Sequence, residues 1–228
     1  MRVPSRIRVG FAVLSATAVV LAPAGTAEAA TTAALYHMES PGSLVDSSGN
    51  ANNGTTKQIT SVAGSSGKGY HFNGSSSVAT VPDSPTLNPG TARLQLTAHV
   101  RFTEPPKSVG DYDLVRKGQA GTTGGEWKME IFPPSSNRSL ATAFCLFQDA
   151  KKNTASIRGT TNLANGAWHT VSCIKTATQV TLVVDGVARS VSAKLGSIGN
   201  NRPLVIGSQS GGGDWYKGDM DEVSVQIG

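Results

Sequence analysis

The sequence predicts an all-β sandwich, and three observations predict it. Short segments of strict period-two alternation dominate the chain, and no helical period survives beyond about one turn. Clusters of Gly, Asn, Ser and Pro punctuate these segments at the short, regular spacing of a sandwich rather than the longer spacing of an α/β fold. Asp185-Gly186, set between apolar pairs in "VVDGVARSV", predicts a two-residue type I′ hairpin, since both turn positions need positive φ.

The strands can be justified in order. "LQLTAHVRF" (94–102) puts Leu94, Leu96, Ala98, Val100 and Phe102 on one face. "EWKMEIF" (126–132) sets Trp127, Met129 and Ile131 against Glu126, Lys128 and Glu130. "ATAFCLFQ" (141–148) is apolar on both faces and predicts a strand buried between two sheets. "HTVSCIKT", "QVTLVVDG", "PLVIG" and "DEVSVQI" follow, while "SQSGGGDWYKG" predicts a surface loop. That loop is no phosphate cradle, because neither a Lys-Ser signature nor a helix follows it.

Residues 1–29 predict a signal peptide. Arg2, Arg6 and Arg8 supply a positive n-region, "VGFAVLSATAVVLAP" an h-region too short to span a bilayer, and Ala27-Glu28-Ala29 a cleavage pattern. No cysteine follows the h-region, so no lipid anchor is expected, and the product should be exported and released. One domain, residues 30–228, accounts for the rest. Losing three arginines and one glutamate with the leader lowers the net charge from +5 to +3. The remaining basic residues are scattered, with only Lys151-Lys152 as a doublet, which argues against nucleic-acid binding. In an oxidising compartment, Cys145 and Cys173 are read most simply as one disulfide. The alternative is a free catalytic thiol, which would need a basic partner.

Four blocks, in order, resemble the laminin-G-like branch of the concanavalin A-like lectin/glucanase superfamily. They are "ALYHMESPGSLVDSSGNANNGT", "GYHFNGSSSVATVPDSPTL", "LANGAWHTVSCIKTATQVTLVVDG" and "PLVIGSQSGGGDWYKGDMDEVSVQI". The resemblance implies a jelly-roll sandwich of two antiparallel sheets. The chain also resembles stand-alone secreted actinobacterial members, which share paired cysteines on central strands.

Glycosidases of this superfamily carry two carboxylates on one strand face with a third acid between. Here Glu126 and Glu130 would lie roughly 13 Å apart along a strand, too far for a retaining pair. Lys128 stands where the third acid would be, so a solvated Glu-Lys-Glu face is expected instead. No Gly-x-Ser-x-Gly elbow is present. His37, His71 and His99 have no matched acid or nucleophile nearby in sequence, and His169, after Trp168, is assigned a structural hydrogen bond. The chain therefore reads as non-catalytic.

The resemblance further implies a structural calcium shared by Asp46 in "DSSGNANNG" and Asp221 in "GDMDEV", with Asn53 a third contributor. The competing reading is that these residues only close turns through hydrogen bonds. For ligand binding, Tyr112 in "VGDYDLV" and Trp215 in the Gly-rich loop are the aromatics expected to be exposed, whereas Trp127 and Trp168 should be core and Tyr216 should pack inward. The expected partner is an extracellular glycan or protein surface. A hydrolase or lyase of the same fold, and a cell-envelope protein binding no sugar, are the alternatives.

Overall fold

The computed structural model describes residues 30–107 and 110–228; the predicted leader lies outside the described residues. Alternation does produce strands, sixteen of them among those residues. The first six are β1 (Thr31–Tyr36), β2 (Ser43–Leu44), β3 (Gly54–Lys57), β4 (Thr60–Ala63), β5 (Lys68–Asn73) and β6 (Val78–Val81). A 3-10 turn at Pro85–Leu87 leads to β7 (Leu94–Arg101), β8 (Tyr112–Lys117), β9 (Glu126–Phe132) and β10 (Thr142–Gln148). The remainder are β11 (Thr154–Arg158), β12 (His169–Lys175), β13 (Gln179–Val184), β14 (Val187–Ser192), β15 (Leu204–Ile206) and β16 (Lys217–Ile227).

These strands form two antiparallel sheets of eight, packed as a sandwich. One runs β14-β13-β12-β7-β16-β5-β4, with β1 also paired to β16; the other runs β11-β10-β9-β8-β15-β6-β3-β2. β16 organises the first sheet. Its first half pairs β5 and its second half pairs β1, while β7 follows its other edge. A bulge between Asp221 and Ser224 re-aims the strand where these partners change, with Glu222 at φ 47°. Turn chemistry acts as expected at Asp185-Gly186: φ values of 49° and 81° let Val184 pair directly with Val187.

The core lies between the sheets and includes Trp127, Tyr36, Tyr70, Tyr216, Phe72 and Phe147, all fully buried. Cys145 on β10 is bonded to Cys173 on β12, with Cα atoms 5.6 Å apart, so the disulfide ties one sheet to the other. Three local expectations need correction. β10 is buried on one face only: Ala143, Cys145 and Phe147 point inward, whereas Phe144 and Leu146 lie half-buried on the other face. Phe144 is covered there by Phe132, with ring centroids 6.0 Å apart, and by the Arg158 guanidinium at 5.5 Å. Trp168 is not core; it is half-buried beneath the Arg101 guanidinium, 4.6 Å from its ring centre. The Glu126-Lys128-Glu130 face is not solvated, since Glu126 and Glu130 are only 3% and 1% exposed. No helix among the described residues is long and apolar enough to cross a membrane.

Candidate ligand groove and acidic centre

Asp46 ends a short segment after β2, and its carboxylate is occupied. Oδ1 accepts the N–H groups of Leu35 and Ser48, each at 2.9 Å, and Oδ2 accepts the Ser48 hydroxyl at 2.8 Å and the Asn52 N–H at 2.9 Å. Burial alone would raise its pKa, but these donors outweigh it and hold the group below the usual carboxylate range. Asn53 serves the same loop, its Oδ1 accepting the Asp46 N–H at 2.8 Å. Asp221 works elsewhere. Its Oδ2 accepts from the Ser65 N–H, the Ser65 hydroxyl and the Ser66 N–H at 2.9–3.0 Å, and its Oδ1 from the Glu222 N–H at 2.9 Å. Asp46 and Asp221 thus share no hydrogen-bond partner. In this structure turn closure occupies their oxygens.

The structure does bring Tyr112 and Trp215 together. Both line a groove of about 420 Å³ at one end of the sandwich, with Asn73, Lys217, Asp111 and Asp214. They play different parts. Tyr112 is not exposed as expected: it is 8% accessible because it opens β8 and packs edge-on against Phe102 and Tyr216. Its hydroxyl donates to the Glu104 or Pro105 carbonyl, at 3.3 and 3.4 Å. Trp215 is half-exposed in the loop before β16, its ring lying over Gly212. Left-handed glycines at 211, 212 and 213 make that approach feasible; a Cβ on Gly212 would sit 3.1 Å from the indole. Tyr216, the next residue, turns inward and is fully buried, as the family pattern implies.

Asp111 and Asp214 belong to an acidic group that the sequence reading missed. With Asp113 they each place a carboxylate oxygen within 4.8 Å of the others, an arrangement that could hold a metal ion. β8 and the Gly-rich loop are pinned together here by the Asp113 N–H, which donates to the Asp214 carbonyl at 2.9 Å. Asp113 is wholly buried: its Oδ2 takes the Arg116 guanidinium at 2.6 Å, and its Oδ1 has no donor among the described residues. Asp111 Oδ1 is likewise buried without a donor. Burial, then the charges of Asp214 and Asp113, push Asp111 up to about 6. Next door, burial and the charge of Asp113 push Glu130 up to about 8. "GDYDLV" and "GGGDWY" carried the only signal, acids flanking the two aromatics singled out for ligand binding.

The charged row on β9 is closed. Arg116 bridges Asp113 to Glu126, the latter at 3.2 Å, and Lys128 pairs with Glu130. His169 is structural, bonded to Asp185 at 2.7 Å and Asn165 at 3.0 Å. A second depression, of about 460 Å³, sits over His71, Arg101 and Asp219, where Asp219 already pairs with His71 at 2.7 Å and with Arg101 at 2.9 Å.

Two antiparallel sheets of eight strands packed face to face define a concanavalin A-like β-sandwich. The chain belongs to the laminin G 3 family of the concanavalin A-like lectin/glucanases superfamily, whose pattern matches residues 72–226. No curated protein matches it in sequence. Among solved structures, it is similar to the binding domain of Paraclostridial mosquitocidal protein 1, at 18% identity and a TM-score of 0.69, covering 86% of this chain and 48% of that one. Domain 4 of AbnA, a GH43 extracellular arabinanase from Geobacillus stearothermophilus solved with arabinotriose, is 16% identical with a TM-score of 0.60, covering 88% and 94%. The botulinum neurotoxin serotype D ligand binding domain, solved with N-acetylneuraminic acid, is 13% identical with a TM-score of 0.61, covering 86% and 47%. The chain thus spans about half the length of the toxin binding domains. At these identities the likeness is one of fold.

Proposed function

We propose that this protein is a secreted, non-catalytic recognition module whose ligand is an extracellular glycan, bound at the end groove by Trp215. The observation that carries the reading is the half-exposed indole at the rim of a groove that also holds Asn73, Lys217 and carboxylates. A flat aromatic face with a few fixed polar groups is what sugar recognition uses. Fold relatives solved with arabinotriose and N-acetylneuraminic acid support the ligand class. Secretion is supported by the inter-sheet disulfide, which needs an oxidising compartment to form. Against a hydrolase stands the burial of Glu126 and Glu130, the first in an ion pair with Arg116 and the second beneath Lys128, where no substrate oxygen reaches them. A glycan array followed by calorimetry tests the reading. Trp215→Ala should abolish binding to whichever glycan scores, and an unaffected affinity would refute the groove. A blank array with an envelope protein captured in its place would refute the glycan.

A further inference from the structure

We propose that Asp111, Asp113 and Asp214 bind one divalent cation, of the calcium class, that bridges the start of β8 to the Gly-rich loop and sets the position of Trp215. Three carboxylate oxygens lie mutually within 4.8 Å, a spacing that suits ligands around one ion. Two buried oxygens meet neither a cation nor an N–H donor among the described residues: Asp113 Oδ1, on a side chain with no exposure and beside the Glu130 carboxyl, and Asp111 Oδ1. Buried acceptors are nearly always satisfied, so a pair left open within one acidic group points to a missing positive partner.

Protein cations do not fill that role among the described residues. Arg116 is taken by Asp113 Oδ2 and Glu126, Lys128 by Glu130, and Lys217 by Glu104. Among the described residues, no side-chain cation forms an ion pair with Asp111 or Asp214. The donor set is all oxygen, with neither imidazole nor thiolate, which selects hard cations over zinc or copper. Calcium is favoured over magnesium because the third acid rides on a loop with three left-handed glycines, which suits an irregular, expandable shell. The groove opens beside Asp111 and Asp214, leaving room for water to complete the coordination.

The site stands independently of the glycan reading. Calcium alone is the probe, titrated by calorimetry into the metal-stripped, full-length secreted protein. One ion per chain is expected, with at least tenfold weaker binding in Asp111→Asn and in Asp214→Asn, two half-exposed positions where folding should survive. Tryptophan fluorescence should change on calcium addition, and Trp215→Phe should lose that change while still binding the ion. Silence up to about 10 mM calcium, above the weakest extracellular sites, would overturn the proposal. So would undiminished binding in both aspartate variants, tighter binding of zinc than calcium, or a fluorescence change that persists in Trp215→Phe.

Discussion

Replacing Asp46 separates the two roles that an aspartate in such a loop can play. Asp46→Ala removes the acceptor for three main-chain N–H groups and one hydroxyl. The Leu35 N–H lies inside β1 and the Asn52 N–H on a residue 5% exposed, so two donors would be left without water. Each unsatisfied buried donor costs about 1–3 kcal/mol, while the Ser48 groups can turn toward solvent. A total of about 2–6 kcal/mol follows, or a Tm lower by about 4–24 °C for a domain of this size. Asp46→Asn keeps one acceptor and should lose about half as much. Urea and thermal unfolding in EDTA, and again in calcium, measure it. The loss should be the same in both, because the partners are N–H groups that chelation does not touch. If wild type in EDTA instead fell to the level of Asp46→Ala, and the substitution then did nothing more, the hydrogen-bond account would fail and the cation expected at Asp46 would be restored.

Three further outcomes are expected. Cys145→Ala with Cys173→Ala should cost about 3.6 kcal/mol from the released 28-residue loop, read as a lower urea midpoint; a change under about 1 kcal/mol would refute the entropic estimate. Asp149 takes the N–H groups of Lys151, Asn153 and Gly196 and the Asn153 amide at 2.7–2.9 Å, and these outweigh burial to hold its pKa low. Its contribution is therefore complete above the unfolded value of about 3.9 and is lost as pH falls through the folded one, so Asp149→Asn should flatten the acid limb of a stability–pH curve. Trp215→Ala should leave the Tm within a few degrees of wild type, since the ring is half-exposed; a collapse of the fold would mean that the loop is structural rather than recognitive.

Much of the fold was legible because alternation reports directly which face is buried. Leu94 to Phe102 and the Asp185-Gly186 turn fall where period and turn chemistry put them, and the two cysteines pair as an exported chain leads one to expect. What alternation cannot report is what covers the polar face. Glu126, Lys128 and Glu130 read as solvated, yet Asp113 and Arg116 on β8 lie across the register from Glu130 and Lys128, so the face closes over itself. Tyr112 misled for a related reason: its Gly-Asp neighbours suggest a loop, but it is the first residue of β8 and inherits that strand's burial. The acidic centre was hidden by distance, since Asp214 lies about a hundred residues from Asp111 and only the pairing of the loop with β8 unites them.

Glu130 shows why a buried carboxyl with unusual acidity is not by itself a catalyst. Pushed up to about 8 by burial and by Asp113, it stays protonated near neutral pH, as a general acid must. Access is what it lacks, at 1% exposure beneath Lys128. Lys128→Met tests this state. Losing the ammonium removes the one group that favours ionisation on its own strand, so the folded pKa should climb further. Below about pH 8 both proteins carry neutral Glu130, and the substitution should cost only a hydrogen bond, about 1 kcal/mol. Above it, wild type ionises while the variant does not, and the gap should widen by up to about 1.4 kcal/mol per pH unit. Adding Glu130→Gln should remove that widening, because no proton remains to be held. Unfolding curves at pH 6 and pH 9 in EDTA decide the matter: an equal cost at both would mean that Glu130 does not ionise between them, and would refute this account of its state.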